Sequence, residues 1–172
     1  MKALLCLFLL STLSLTACAQ NSPPDCQSEP HRQFDFWVGD WVVSDKDGNL
    51  QGHNTIELLL NDCTLQENWR GAKGSSGKSF NLYDRQTKQW HQTWIDANGG
   101  ILYLDGTLQN EVMVLEGERL GRDGKPVTHR ISYTPLEDGQ VKQHWQVSRD
   151  SGKTWQDAFL GFYKRKSSTT AM

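Results

Sequence analysis

Turn-forming residues punctuate this chain about every 8–12 residues, a cadence that leaves room for short strands and little else. They fall at Asp47-Gly48-Asn49, Asn61-Asp62, Gly71 to Gly77, Asp84 to Thr87, Asn98-Gly99-Gly100, Gln109-Asn110, Asp123-Gly124, Asp138-Gly139 and Ser151-Gly152. Between them lie runs rich in Val, Ile, Leu, Thr, Tyr and Trp. The reading is ten strands, near 37–44, 52–60, 63–70, 78–84, 88–96, 100–108, 111–118, 126–134, 140–148 and 154–165. No segment carries a long helical period. Connections this short make sequential strands antiparallel neighbours. Closing ten such strands on themselves removes the exposed sheet edges. The expected fold is all-β: a single antiparallel up-and-down β-barrel of about ten strands, spanning residues 34–166.

The first residues do not belong to that pattern. Lys2 followed by the apolar run Ala3 to Leu15 reads as a signal peptide over residues 1–17, too short to span a bilayer comfortably. Leu15-Thr16-Ala17-Cys18 is similar to the bacterial lipobox, which implies that Cys18 carries lipid. Cleavage after Ala19 is the competing reading, since Ala17-Cys18-Ala19 also fits the small-x-small rule. Ala19 after the Cys resembles lipoproteins sorted to the outer membrane, so the expected location is the bacterial envelope, facing the periplasm. Residues 18–33, with Asn21-Ser22-Pro23-Pro24, read as a lipidated tether, and 167–172 as a disordered tail. Once Cys6 leaves and Cys18 is lipidated, Cys26 and Cys63 remain as a pair in an oxidising compartment. A disulfide between them would close a loop of about 38 residues, worth roughly 4 kcal/mol in the chain-entropy model.

Composition narrows function by exclusion. A formal charge of −2 in 172 residues rules out a polybasic nucleic-acid binder. Seven Trp must supply much of the core or the walls of a pocket. Alternation along each strand sorts side chains into two faces. Leu65, Glu67 and Trp69 share one face; so do Trp90, Gln92 and Trp94, and Val141, Gln143, Trp145 and Val147. These sets are the more apolar and are expected inside. The orientation of Ser79, Asn81 and Tyr83 against Phe80 and Leu82 is ambiguous, as is that of Arg130. His53, His91, His129 and His144 are expected outside, which leaves no metal ligand and no haem cofactor in the lumen.

Phe34-x-Phe36-Trp37-x-Gly39-x-Trp41 resembles the opening of a family of bacterial secreted domains that begin F-x-F-W-x-G-x-W. The likeness continues through Gly52-x-Asn54-x-Ile56, Cys63-x-Leu65-x-Glu67-x-Trp69, Ser79-x-Asn81-x-Tyr83-Asp84, Gln92-x-Trp94-x-Asp96 and Gln143-x-Trp145. It implies a calycin-like barrel and brings no activity. Gly39-x-Trp41 also resembles the first strand of lipocalins, where an Arg from late in the chain covers the Trp; that implies such a part for Arg165. Ser148-x-Asp150-x-Gly152-x-Thr154-Trp155 resembles the Asp-box hairpin of sialidases and related propellers, where its role is structural.

No phosphate loop, nucleophile elbow, H-E-x-x-H or EF-hand is present. What remains is a small-molecule site lined by Glu67, Trp69, Asn81, Trp90, Gln92, Trp94, Arg130, Gln143 and Trp145. A buried carboxylate needs a partner, and Arg130 is one candidate for Glu67. The leading expectation is a module binding a small amphipathic or polar ligand, identity open, with membrane contact through the lipid alone. The alternatives are an isomerase- or hydrolase-like enzyme using Glu67 as general acid or base, and a non-catalytic structural lipoprotein. No catalytic residue is assigned.

Overall fold

A computed structural model describes residues 26–167. The signal peptide, Cys18 and nearly all of the expected tail lie outside them. Ten strands follow one another: β1 (Gly39–Ser44), β2 (Leu50–Leu59), β3 (Thr64–Gly71), β4 (Ser76–Asp84), β5 (Gln89–Asp96), β6 (Ile101–Gln109), β7 (Val112–Leu120), β8 (Pro126–Pro135), β9 (Val141–Ser148) and β10 (Gln156–Arg165). Each pairs antiparallel with its neighbours in sequence, and β1 closes the barrel on β10 through Trp41 opposite Arg165 and Val43 opposite Tyr163. The expected all-β, single closed up-and-down barrel is therefore the fold found, and it is consistent with a calycin-like architecture.

Two departures sit at the start of the domain. The stretch before β1 is not strand: Asp35–Trp37 forms a 3₁₀ turn. That period of three stacks Phe34 on Trp37, with ring centroids 5.0 Å apart and planes at 16°. Both side chains are fully buried and plug one end of the barrel. Upstream, residues 26–33 of the expected tether are the part described, and they lie against the barrel. A four-residue helix, α1 (Glu29–Arg32), packs here, with His31 buried edge-on to Tyr83 at 5.1 Å. The Cys26–Cys63 disulfide and a hydrogen bond from the Arg32 guanidinium to the Asp62 carbonyl fix this segment to the β2–β3 turn.

Within the plug, Trp41 is buried and donates from Nε1 to the Trp37 carbonyl at 2.9 Å. The Arg165 guanidinium lies 4.5 Å from the Trp41 ring and donates to the Val38 carbonyl at 3.1 Å. Gly39 makes this possible. Its φ is +143°, and a Cβ there would stand 2.3 Å from Arg165 Nη1. The Ser148–Trp155 hairpin is stapled as its motif implies. The Asp150 carboxylate accepts from the Thr154 amide at 2.8 Å and the Thr154 hydroxyl at 2.6 Å, which holds its pKa down at about 2. Ser148 Oγ accepts from the Gly152 amide at 2.8 Å, and Trp155 Nε1 donates to the Gly152 carbonyl at 3.0 Å.

Candidate functional site

The inward faces of the strands build the lumen in three levels. At the closed end, Phe34 and Trp37 pack on Tyr133, with centroids 4.9 Å and 4.6 Å away, and Trp90 meets Phe34 edge-on at 5.5 Å. Trp41 and Trp37 flank the Tyr163 ring at 6.1 Å and 6.4 Å. The two tyrosine rings thus belong to the plug, while their hydroxyls reach the level above.

That second level is a closed circuit of hydrogen bonds. Asn54 Nδ2 donates to Glu67 Oε1 at 2.7 Å and to the Tyr163 hydroxyl at 3.3 Å. Tyr163 donates to Gln143 Oε1, and Gln143 Nε2 donates to the Tyr133 hydroxyl at 3.3 Å. Gln92 Nε2 donates to the same hydroxyl at 3.1 Å and to Asn81 Oδ1 at 2.7 Å. Asn81 Nδ2 donates to Ser79 Oγ at 2.9 Å, and Ser79 donates to Glu67 Oε2 at 2.7 Å, which returns the circuit to its origin. Residues from β2, β3, β4, β5, β8, β9 and β10 meet in this belt. A buried polar group without a partner costs free energy, and a mutually satisfied belt offsets that cost while tying strands across the barrel. Satisfaction is incomplete: Gln92 Oε1 and Asn54 Oδ1 are buried with no hydrogen-bond partner.

Glu67 is the charged member. It is 3% exposed, and no ion pair reaches it among the described residues. Burial raises its pKa from 4.5 to about 7, against the opposing effect of the bonds from Ser79 and Asn54. The Tyr133 and Tyr163 hydroxyls are pushed well above their ordinary range, first by burial and then by the Glu67 charge.

The third level is open. A cavity of about 340 Å³ stands on the belt, with Glu67, Gln92, Tyr133, Gln143 and Tyr163 as its floor. Trp69, Trp94, Trp145, Phe159, Leu102 and Ile131 form the walls, and Lys73, Ser75, Asp96 and Asn98 lie at the rim. Trp69 and Phe159 meet edge-on at 5.8 Å. Glycines let the wall aromatics approach the backbone closely. A Cβ at Gly77 would stand 2.3 Å from the Trp94 ring, and one at Gly161 2.7 Å from Phe159.

Of the residues expected to line a site, Glu67, Trp69, Gln92, Trp94, Gln143 and Trp145 meet at this cavity. Asn81 and Trp90 also point inward but do not line it. Asn81 is part of the belt, and Trp90 packs in the plug. Arg130 is on the opposite face of the barrel wall and is not the partner of Glu67. Its guanidinium pairs with Glu116 and lies 3.9 Å from the Trp155 ring. The physical reason is the apolar set Val127, Ile131 and Tyr133, which takes the inside of β8 and sends the even positions out. The same parity turns His129 inward, contrary to expectation. It is half-buried and accepts from Trp145 Nε1 at 3.1 Å, behind the cavity wall, and burial lowers its pKa. His91 and His144 do face outward, on Asp105 and Asp157 at 2.8 Å and 2.7 Å. The residues missed from sequence are Tyr133, Tyr163 and Ser79. A buried Tyr needs a partner for its hydroxyl, which was the available signal for the two tyrosines.

Among the described residues, no group of three or more His, Cys, Asp or Glu side chains stands ready to hold a metal ion, and no helix is long and apolar enough to cross a membrane. Compared with known proteins, the chain matches no family model and no curated protein.

Proposed function

We propose that this chain is an envelope lipoprotein whose barrel binds a small amphipathic or polar molecule in its lumen. The observation that carries this reading is the cavity: aromatic walls stand over a polar floor whose groups are fixed by the belt and therefore oriented before any ligand arrives. Preformed concave sites with few convergent polar groups are how proteins bind small molecules, and about 300 Å³ is the lower end of their usual volume. A structural barrel would have filled the lumen with side chains, as the plugged end does. The anchor on Cys18, the periplasmic setting and kinship with the F-x-F-W-x-G-x-W domains belong to the same proposal. Placement of Phe34, Trp37 and Trp41 in the plug supports that kinship, since it gives the motif one structural task.

One preparation tests the reading. The chain is purified from its own envelope and weighed twice, natively and after denaturation. The native spectrum should show a small adduct that denaturation releases. The denatured mass should begin at Cys18 and include the acyl chains. A bare native mass would oppose the binding reading, and an unlipidated mature chain beginning after Ala19 would oppose the anchor.

A further inference from the structure

We infer that the cavity selects a cationic amine, a small organic ammonium whose charged nitrogen sits on Glu67 and whose apolar part lies between the wall aromatics. The inference rests on the binding reading above and names the ligand class. Its first support is the sign of the floor. Glu67 is the sole ionisable acid there, and its oxygens hold only neutral donors, Asn54 and Ser79. Each carboxylate oxygen has room for more than one bond. Among the described lining residues the one basic side chain is Lys73, exposed at the rim. A ligand carboxylate or phosphate driven to the floor would therefore meet a buried like charge with no cation to offset it.

The second support is the surplus of acceptors. Gln92 is 1% exposed, lines the cavity, and leaves Oε1 with no partner. An ammonium brings several donors and no acceptors, the complement of the Glu67 oxygens and Gln92 Oε1. The third support is the wall. Three Trp and one Phe line it, the side chains that best hold an organic cation once water is removed.

The charge state of the floor then gates binding. The groups packed around Glu67 are Asn54 from β2, Ser79 from β4, Gln92 from β5, Tyr133 from β8, Gln143 from β9 and Tyr163 from β10. None of them titrates near neutrality. Lys73 and Asp96 stand at the rim, and His129 lies behind Trp145. Because the carboxyl ionises near pH 7, an amine binds tightly above that value, and below it must displace the Glu67 proton.

The test is a titration of the purified domain, residues 19–172, with three probes of similar size, read by Trp emission and calorimetry: 2-phenylethylamine, 2-phenylethanol and phenylacetate. At pH 8 the amine should bind about tenfold more tightly than the alcohol, and the anion weakest. Between pH 8 and pH 5.5 the amine should lose about thirtyfold in affinity while the alcohol does not move. Glu67→Gln should erase the amine's advantage and its pH dependence. Retained alcohol binding would show that this variant is folded, and the wild-type pH series stands without it. Equal binding of amine and alcohol, or tightest binding of phenylacetate, overturns the cation inference and leaves the pocket in place. If none of the three binds, the inference falls. The pocket reading falls with it only if the chain from its own envelope is also bare.

Discussion

Glu67 is the residue on which the interior chemistry turns, and its pH behaviour can be predicted with sign. Its folded pKa of about 7 lies above the unfolded value near 4.5, so the folded chain holds the proton more tightly. Between those values the unfolded state binds fewer protons. Stability must then fall as pH rises through that window and level off above about pH 7. The full shift corresponds to about 3 kcal/mol, an upper figure for a group that can relax or admit water. Denaturant unfolding at pH 5 and pH 8 should show this loss in the wild type, and Glu67→Gln should flatten it. A wild type equally stable at both values, or a variant with an undiminished slope, would mean that Glu67 is paired or hydrated. His129, whose pKa burial lowers, works in the opposite direction at the acid end, so the comparison with the variant isolates Glu67.

At the scale of the element, the wall aromatics depend on the glycines beneath them. Gly77→Ala would put a methyl group 2.3 Å from the Trp94 ring and 2.8 Å from the Ile95 carbonyl. The ring can swing but the backbone cannot, so the variant should lose about 1–3 kcal/mol, the usual cost of overpacking. Its Trp emission should also shift as Trp94 moves out over the cavity. Unchanged stability and emission would show that this wall is loose. The same scale shows what was legible in the sequence. Turn residues set every strand within two residues of its observed bounds, because Gly, Asn and Asp at those positions serve the hairpins directly. Alternation correctly turned Glu67, Gln92 and Gln143 inward, because each sits between large apolar neighbours. It fails for His129, which shares its face with Ile131 and Tyr133 and is carried inward with those two buried side chains. The Phe34–Trp37 segment fits a period of two as well as three, and only the need to plug the barrel end selects the 3₁₀ turn.

On the scale of the whole molecule, alternation gives the face of a side chain but not its height along the barrel. Trp90 and Trp94 are four residues apart on one face, yet one seals the bottom and the other lines the mouth. Height depends on the stagger of the strands and on which end the plug occupies, and both are set by pairing between distant residues. For the same reason the belt was invisible: Tyr163 and Asn54 are 109 residues apart in sequence and meet only because β10 and β2 flank β1. The resulting molecule is asymmetric. Apolar packing and the arginine-capped Trp41 secure one end, the disulfide clamps the segment that leads into it, and the other end stays open. That division lets the core supply stability while the mouth keeps a cavity.

Whether a ligand rests on Glu67 in this cavity separates a binding module from a packed barrel. A crystal structure of the protein purified from its own envelope, without added ligand, tests it directly. Continuous density, larger than water, should run from the Glu67 carboxylate up between Trp69, Trp94 and Trp145. A lumen closed by the collapse of those side chains, or one holding ordered water alone, would contradict the binding reading.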